Sequence, residues 1–450
     1  MGRLNNSVGN HLVRWLVCCG LEIREAVLAG RLAVVAAATC LGFVPFESVA
    51  VNGTRAIAYG AESAQLAGSD VASGKDVSVV VTNPANLSQI SRHRFDGGGV
   101  AVITGDTHRD SLGNDQRVDN VVTPILALGY GQRIEGSRVV FGAGAFVHGG
   151  AGAVYKDLIT PVGSRDEYSS RYAVLMLGLG ASYEVTEQLA LGISVEAVHG
   201  RAEQKLFPNV SVASPQYSYF GLEVNDAKVT RTGLRLGMRY RLNEDVVLGG
   251  YAASKVDLPM EGSAVADLSA VGLGKARYAS VQINGLGVPP ELAVGVAWKV
   301  SETAELSGKV ERVFWSRVYR TVTYLASRPE LPFAPPELQL SSDLRWSDQT
   351  VFALGATFVQ SADLTLRAGI NIGTAPGQPE TTSPLISGID RFHLTFGFSR
   401  RIAAGYEVLG GFEYLIPESL TYTNPQQPFG PDSFLERRYI AVHLAVARRW

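Results

Sequence analysis

The chain has 450 residues and a formal net charge of −2, with 46% hydrophobic and only 18% charged residues. A near-neutral surface argues against a polyanion such as nucleic acid as a partner. Its 49 glycines sit badly in helix interiors but are tolerated in strands that curve or pack closely, so the composition leans towards β structure with a large buried or lipid-facing area.

The first 50 residues read as a targeting leader. Arg14, Arg24 and Arg31 precede the apolar run Leu32 to Phe46, and the small-residue triplet Ser48-Val49-Ala50 follows it. The run falls short of the roughly 20 apolar residues that a spanning helix needs, and no later stretch offers them. Lipid attachment at Cys40 is the alternative, but Ala37-Ala38-Thr39 is a poor lipobox. Cys18, Cys19 and Cys40 are the three cysteines of the chain, so removing the leader leaves none. That suits an envelope protein in an oxidising compartment and excludes a cysteine-based zinc site or nucleophile in the mature protein.

Residues 51–90 carry Gly53, Gly60, Gly68 and Gly74, short apolar pieces and then Asn83-Pro84-Ala85-Asn86-Leu87. Strand-like alternation is absent here. Such a segment ahead of a barrel hangs in the periplasm or folds into the lumen as a plug. From residue 91 onward, segments of about ten residues alternate apolar with polar or small side chains, and turn-prone stretches separate them. Leu234, Leu236, Met238, Tyr240 and Leu242 share one face of Thr232–Leu242, opposite Arg235, Arg239 and Arg241. The same pattern recurs in Leu364–Gly373, in Asp390–Arg400 and in the last strand, which ends on Trp450.

Successive strand side chains point to opposite faces, so each segment has one oily and one polar face. In lipid every backbone polar group must be bonded internally, so an all-β spanning protein must close into a barrel. We therefore expect an all-β fold: a transmembrane antiparallel β-barrel in the bacterial outer membrane. About fifteen candidate strands are visible, and the even count of bacterial barrels favours fourteen or sixteen. Asp106–Asn120, Tyr155–Ser170, Lys205–Asp226, Pro259–Lys275, Ala326–Asp348, Thr374–Ile389 and Tyr422–Leu435 read as outer loops, and short pieces such as Asn243-Glu244-Asp245 as periplasmic turns.

Several places in the chain resemble the FadL family of outer-membrane long-chain fatty acid transporters, which includes aromatic hydrocarbon channels. Ala58-Tyr59-Gly60, Gly68 and Asn83-Pro84-Ala85 resemble its N-terminal hatch, although Asn86 stands where members often have glycine. Pro290-Glu291-Leu292 and Val313-Phe314-Trp315-Ser316-Arg317 resemble its Pro-Glu and Trp-Ser elements. Leu366-Arg367-Ala368-Gly369, the proline loop at Ala375–Glu380 and Ile389-Asp390-Arg391-Phe392-His393-Leu394 follow in the family's order. The middle of the chain, residues 95–280, matches only as generic barrel. The resemblance implies fourteen strands, residues 51–90 as a hatch plugging the lumen, residues 91–450 as the barrel, and a monomer. It further implies passive passage of long-chain fatty acids or similar hydrophobic molecules, released sideways at a kinked strand whose position the sequence does not reveal.

Asn83-Pro84-Ala85 makes a rigid turn, which serves either as an anchor or as a gate that transmits a hatch shift. Arg367, Asn371, Arg391 and His393 are expected on lumen faces of neighbouring strands. One of them could meet a carboxylate head group, or together they could form a salt-bridge lattice that holds the hatch. Trp315 suits an apolar pocket or, more readily, the aromatic girdle at the membrane interface. Phe333, with Pro335 and Pro336, suits an oily outer groove for substrate. The seven histidines form no metal-ligand motif and the glycine runs Gly97-Gly98-Gly99 and Gly142–Gly152 are not phosphate loops, so no cofactor, metal or catalytic residue is expected. A general porin for polar solutes, a lipid-modifying barrel enzyme and a surface adhesin are the rival functions.

Overall fold

The computed structural model describes residues 52–450 other than 216 and 404, so the leader assigned to residues 1–50 lies outside the described residues. Nineteen hydrogen-bonded segments close into one antiparallel cylinder of fourteen strands, five of which are broken into two pieces. In chain order they begin with β1 (His93–Thr104), β2 (Val122–Arg133), β3 (Val139–Ala151, resuming at Val154–Ile159) and β4 (Arg165–Glu184). β5 (Leu189–Ala213) and β6 (Ser218–Arg241) form a long hairpin, followed by β7 (Val246–Ala253 and Met260–Asp267). Next come β8 (Lys275–Asn284 and Glu291–Lys299), β9 (Ala304–Val313 and Thr321–Pro329) and β10 (Glu337–Asp343 and Gln349–Val359). The ring ends with β11 (Leu364–Gly373), β12 (Phe392–Ala403), β13 (Tyr406–Leu415) and β14 (Tyr439–Arg449). β14 pairs with β1 from Arg94–Arg449 to Thr104–Tyr439, which closes the cylinder.

The alternation in the sequence becomes an outside and an inside. Leu234, Leu236, Met238 and Tyr240 of β6 point outward, while Arg235 between them is 1% exposed inside. Leu394, Phe396 and Phe398 of β12 face out, with His393, Thr395 and Ser399 buried within. An apolar belt of this extent would drive aggregation in water and is what a lipid slab requires.

Two expected loops are built differently. Lys205–Asp226 is the paired end of the β5–β6 hairpin, and much of Pro259–Lys275 is the outer half of β7. A spanning strand needs only about ten residues, so the 25-residue β5 runs well past the membrane. Pairing satisfies its backbone there more completely than a loop would.

Inside the cylinder, residues 52–90 form α1 (Ala61–Gln65) and two 3-10 turns, Val77–Val81 and Pro84–Gln89. Val77, Val79, Leu87 and Ile90 pack on Val140 of the wall. Glycines on the inner wall let this segment sit close. A Cβ at Gly192 of β5 would overlap the Ala85 amide, and one at Gly237 of β6 would overlap Asn83 Oδ1.

The lipid-facing assignment is testable. Leu354, 65% exposed in mid-β10, should tolerate lysine poorly: Leu354→Lys costs about 2–4 kcal/mol, against about 0–1 for Val359→Lys at the strand end. Denaturant titration of barrels folded in liposomes measures both.

Candidate functional site: plug, wall gap and cavity

The Asn83 carboxamide joins three elements. Its Nδ2 donates to Val71 O at 2.8 Å and to Met238 O of β6 at 2.9 Å, and its Oδ1 accepts the Ala85 amide at 3.2 Å. Asn83 thereby caps the 3-10 turn that begins at Pro84. On the opposite side of the lumen, α1 docks through charge. Glu62 lies 2.7 Å from Arg367 and 3.0 Å from Arg94. Burial pushes its carboxyl up, but these two guanidinium groups hold it below the usual range. Asn371 donates to Ala67 O at 3.1 Å, and Thr395 donates to Gln65 O at 2.9 Å.

The first residues of the plug form an extended leg. Arg55 makes two 2.6 Å hydrogen bonds to Glu311 and lies 2.8 Å from Glu291. Arg235 in turn bonds Glu196 at 2.9 Å and Glu291 at 3.1 Å, and Lys309 bonds Glu311 at 3.0 Å. Three cations thus meet three carboxylates inside the barrel. Thr54 shares a 2.8 Å hydrogen bond with Tyr319.

The wall is incomplete beside this leg. β2 and β3 pair from Arg133–Val140 to Leu128–Ala145 and then part. β2 continues along β1 to Val122, while β3 follows β4 across a bulge between Val147 and Gly149. The leg occupies the inner side of the break: the Ala56 amide donates to His148 O at 2.9 Å, Arg55 bridges to Gly149, and the Tyr59 hydroxyl meets His148 Nδ1 at 2.9 Å. Gly149 has φ 148°, and a Cβ there would overlap Thr54 O. A pocket of about 80 Å³, lined by Val100, Ile125, Ala127 and Phe146 and also by Asp76, Asp96 and Glu413, lies against the gap. Beneath the outer loops is a larger cavity of about 490 Å³. It is walled by Tyr168, Tyr172, Tyr219, Tyr324, Leu286 and Leu385, among others.

The residues singled out in the sequence scatter across this arrangement. Arg367 and Asn371 hold α1. His393 is buried near the Tyr439 hydroxyl at 3.1 Å and Glu413 at 3.6 Å. Arg391 is not on a lumen face: it precedes β12, is largely exposed and pairs with Glu418 at 2.6 Å. Trp315 is not in the girdle. It lies in the short turn after the first half of β9, fully buried, with Tyr319 and Trp346 rings packed around it and Nε1 bonded to Gln349. Gly53 of the leg passes directly over that ring. Phe333 is 87% exposed at a loop tip and does not line the cavity, whose outer wall is formed by Leu338, Leu340 and Phe220 instead. Sequence reasoning missed Arg55 and the cavity tyrosines. A lone arginine in an uncharged stretch was the signal for the first; strand position gives no signal for the second.

A fourteen-stranded barrel with an internal plug, a lateral break and a loop-capped cavity defines an outer-membrane transport protein. The profile of the family described as "Outer membrane protein transport protein (OMPP1/FadL/TodX)" matches residues 47–440, and the chain belongs to that family. It is 22% identical to outer membrane protein P1 of Haemophilus influenzae over 394 residues, 77% of this chain and 82% of the relative. The fold is similar to that of the Pseudomonas putida toluene transporter TodX (TM-score 0.74, 20% identity, 88% of this chain and 99% of that one). It is also similar to the Ralstonia pickettii toluene transporter TbuX (0.70, 21%, 88% and 99%) and to a Pseudomonas aeruginosa FadL homologue (0.69, 14%, 88% and 99%).

Two predictions concern the plug. Arg55→Ala leaves Glu311 with Lys309 and Glu291 with Arg235 as their remaining cations and weakens seating of the leg by about 1.5–3 kcal/mol; hydrogen exchange at residues 52–57 should accelerate with little change elsewhere. Asp76 caps the turn Val77–Val81, and burial together with neighbouring Asp96, Glu62 and Asp70, opposed by Arg94, pushes its carboxyl from 3.8 to about 7. The seated plug therefore holds a proton that a solvated Asp76 releases. Seating is strongest below about pH 4 and weakens as pH rises towards 7. Exchange of the Val77–Val81 amides, corrected for intrinsic rate, should be faster at pH 8 than at pH 5, and Asp76→Asn should remove the difference.

Proposed function

We propose that this protein passes hydrophobic molecules, of the long-chain fatty acid or monoaromatic class, across the outer membrane by diffusion through a plug-gated barrel. The observation that carries the reading is the leg, residues 52–57, whose Ala56 and Ile57 line the pocket beside the β2–β3 gap and whose contacts to His148 and Gly149 close that gap from within. A molecule captured under the loops enters the cavity. It crosses when the leg leaves the wall, and it leaves sideways between β2 and β3 into the lipid. Polar backbone exposed at such a break is tolerated where it lines a cavity rather than faces hydrocarbon. Asn83-Pro84-Ala85 remains seated as the anchor about which the leg moves, because its contacts to β5 and β6 lie away from the gap. A single chain contains the whole route, which supports a monomer as the working unit. A wide polar porin fits poorly, because the plug fills the lumen with buried ion pairs.

Uptake by Gram-negative cells lacking their own transporter tests the reading, with labelled oleate and labelled toluene as alternative substrates. Cells carrying this protein should take up at least one of them. An Ala56→Cys/His148→Cys pair, which staples the leg to β3, should abolish uptake when oxidised and restore it on reduction, while each single variant stays active. A well-folded barrel that moves neither compound, or a stapled one that still transports, would overturn the gate.

A further inference from the structure

We propose that the periplasmic rim of β12, β13 and β14 carries a binding site for the headgroup of an acidic phospholipid, with Arg448 as its anchor and Arg400 as its second cation. The site lies on the lipid face and is independent of the transport reading.

Alternation fixes where the two side chains stand. On β14, Val442, Leu444 and Val446 are exposed to lipid, and Arg448 is the next residue on that face. On β12, Leu394, Phe396 and Phe398 lead to Arg400 in the same way. Arg400 is opposite Leu364, which follows the short connection 360–363 between β10 and β11. Short connections mark the periplasmic end of a barrel. Both arginines therefore sit where the apolar belt ends and the headgroups of the inner leaflet begin.

The guanidinium of Arg448 is positioned while its donors stay open. Directly across the ladder from Arg448 stand Tyr406 of β13 and Phe95 of β1. Arg448 Cζ lies 5.0 Å from the Tyr406 ring centroid and 4.8 Å from that of Trp450, and Trp450 is itself stacked on His93 at 5.3 Å. Stacking occupies the faces of a guanidinium and leaves its N–H edges free. Among the described residues, no carboxylate pairs with Arg448 or Arg400, and neither guanidinium makes a hydrogen bond. Arg449, on the opposite face of β14, differs: it is paired with Glu407 at 3.2 Å.

A free guanidinium edge held at headgroup depth is suited to grip phosphate through two parallel hydrogen bonds. Aromatic rings belong at the same depth. Arg400 is opposite Val408, and Val408 is opposite Val446, so the backbones of the two arginines are roughly 12 Å apart with β13 between them. Two cations without countercharge favour a headgroup that brings phosphate alone. A zwitterionic headgroup brings an ammonium that they repel. An acidic lipid seated there also spans the strands beside the β14–β1 seam that closes the cylinder.

Native mass spectrometry of the detergent-solubilised full chain tests this, with phosphatidylglycerol and phosphatidylethanolamine of identical acyl chains as probes. We expect phosphatidylglycerol to bind more tightly by about fivefold or more, the worth of one basic residue at an anionic surface. Arg448→Gln, checked for folding by its heat-modifiable gel mobility, should remove most of that preference. Arg448→Lys, which keeps the charge but loses the planar fork, should restore only part of it. Arg138→Gln, at an exposed arginine of a periplasmic turn whose guanidinium donates to Val185 O, should leave the preference unchanged. Equal affinity for the two lipids would overturn the proposal. So would a preference that survives both Arg448→Gln and Arg400→Gln, or one that Arg138→Gln lowers equally, since that marks a general effect of charge. If Arg448→Gln does not fold, Arg400→Gln decides: an undiminished preference overturns the site and a reduced one supports it.

Discussion

Backbone hydrogen bonding in a medium without water governs this molecule. A strand in lipid has nowhere to place its amides and carbonyls except on another strand, so the chain closes into a ring. The one place where β2 and β3 stop pairing is consequently the most demanding part of the wall. The protein answers it from within: the leg ahead of α1 takes up backbone of the bulged β3 at His148 and Gly149. A piece of the plug stands in for a missing rung. Under the proposed gate, wall integrity and passage are two states of one hydrogen-bonding requirement.

The plug is held by apolar packing and by charge. Its apolar contacts are spread along the segment, with Val71 against Tyr251 and Ala293, and Val77, Val79, Leu87 and Ile90 against Val140. Much of its attachment is electrostatic, at Glu62 between Arg367 and Arg94 and at Arg55 between Glu311 and Glu291. Buried ion pairs add little net stability compared with apolar packing, but they are directional and heavily penalised when mismatched. Such contacts fix the seated position sharply without making it deep. The glycine-rich inner wall completes the arrangement: where Asn83-Pro84-Ala85 meets β5 and β6, only a side chain without a Cβ admits the turn at hydrogen-bonding distance.

Much of the fold was legible in advance because strand periodicity is local. The oily faces of β6, β11, β12 and β14 follow from reading every second residue, and the inward arginines follow with them. Resemblance added the plug and the strand number. Placement along the axis was harder. Arg391 belongs by alternation to the inner face of β12, yet the strand begins one residue later and Arg391 turns out to Glu418. Trp315 looks like a girdle residue in isolation, but the turn that interrupts β9 swings it inward beneath the leg. Phe333, expected at an outer groove, is exposed at a loop tip.

The sequence by itself determined an all-β chain with a lipid face, a polar interior and a non-alternating segment ahead of the strands, because those properties depend on neighbours one or two residues apart. The partners were decided only by tertiary structure. Arg55 and Glu311 lie 256 positions apart, and Gln65 reaches carbonyls more than 300 positions away. Which rung of the wall is missing and which charges neutralise each other both follow from ring closure around the plug. No local pattern encodes that closure, since it sets the register of every strand against two others and of the plug against them all.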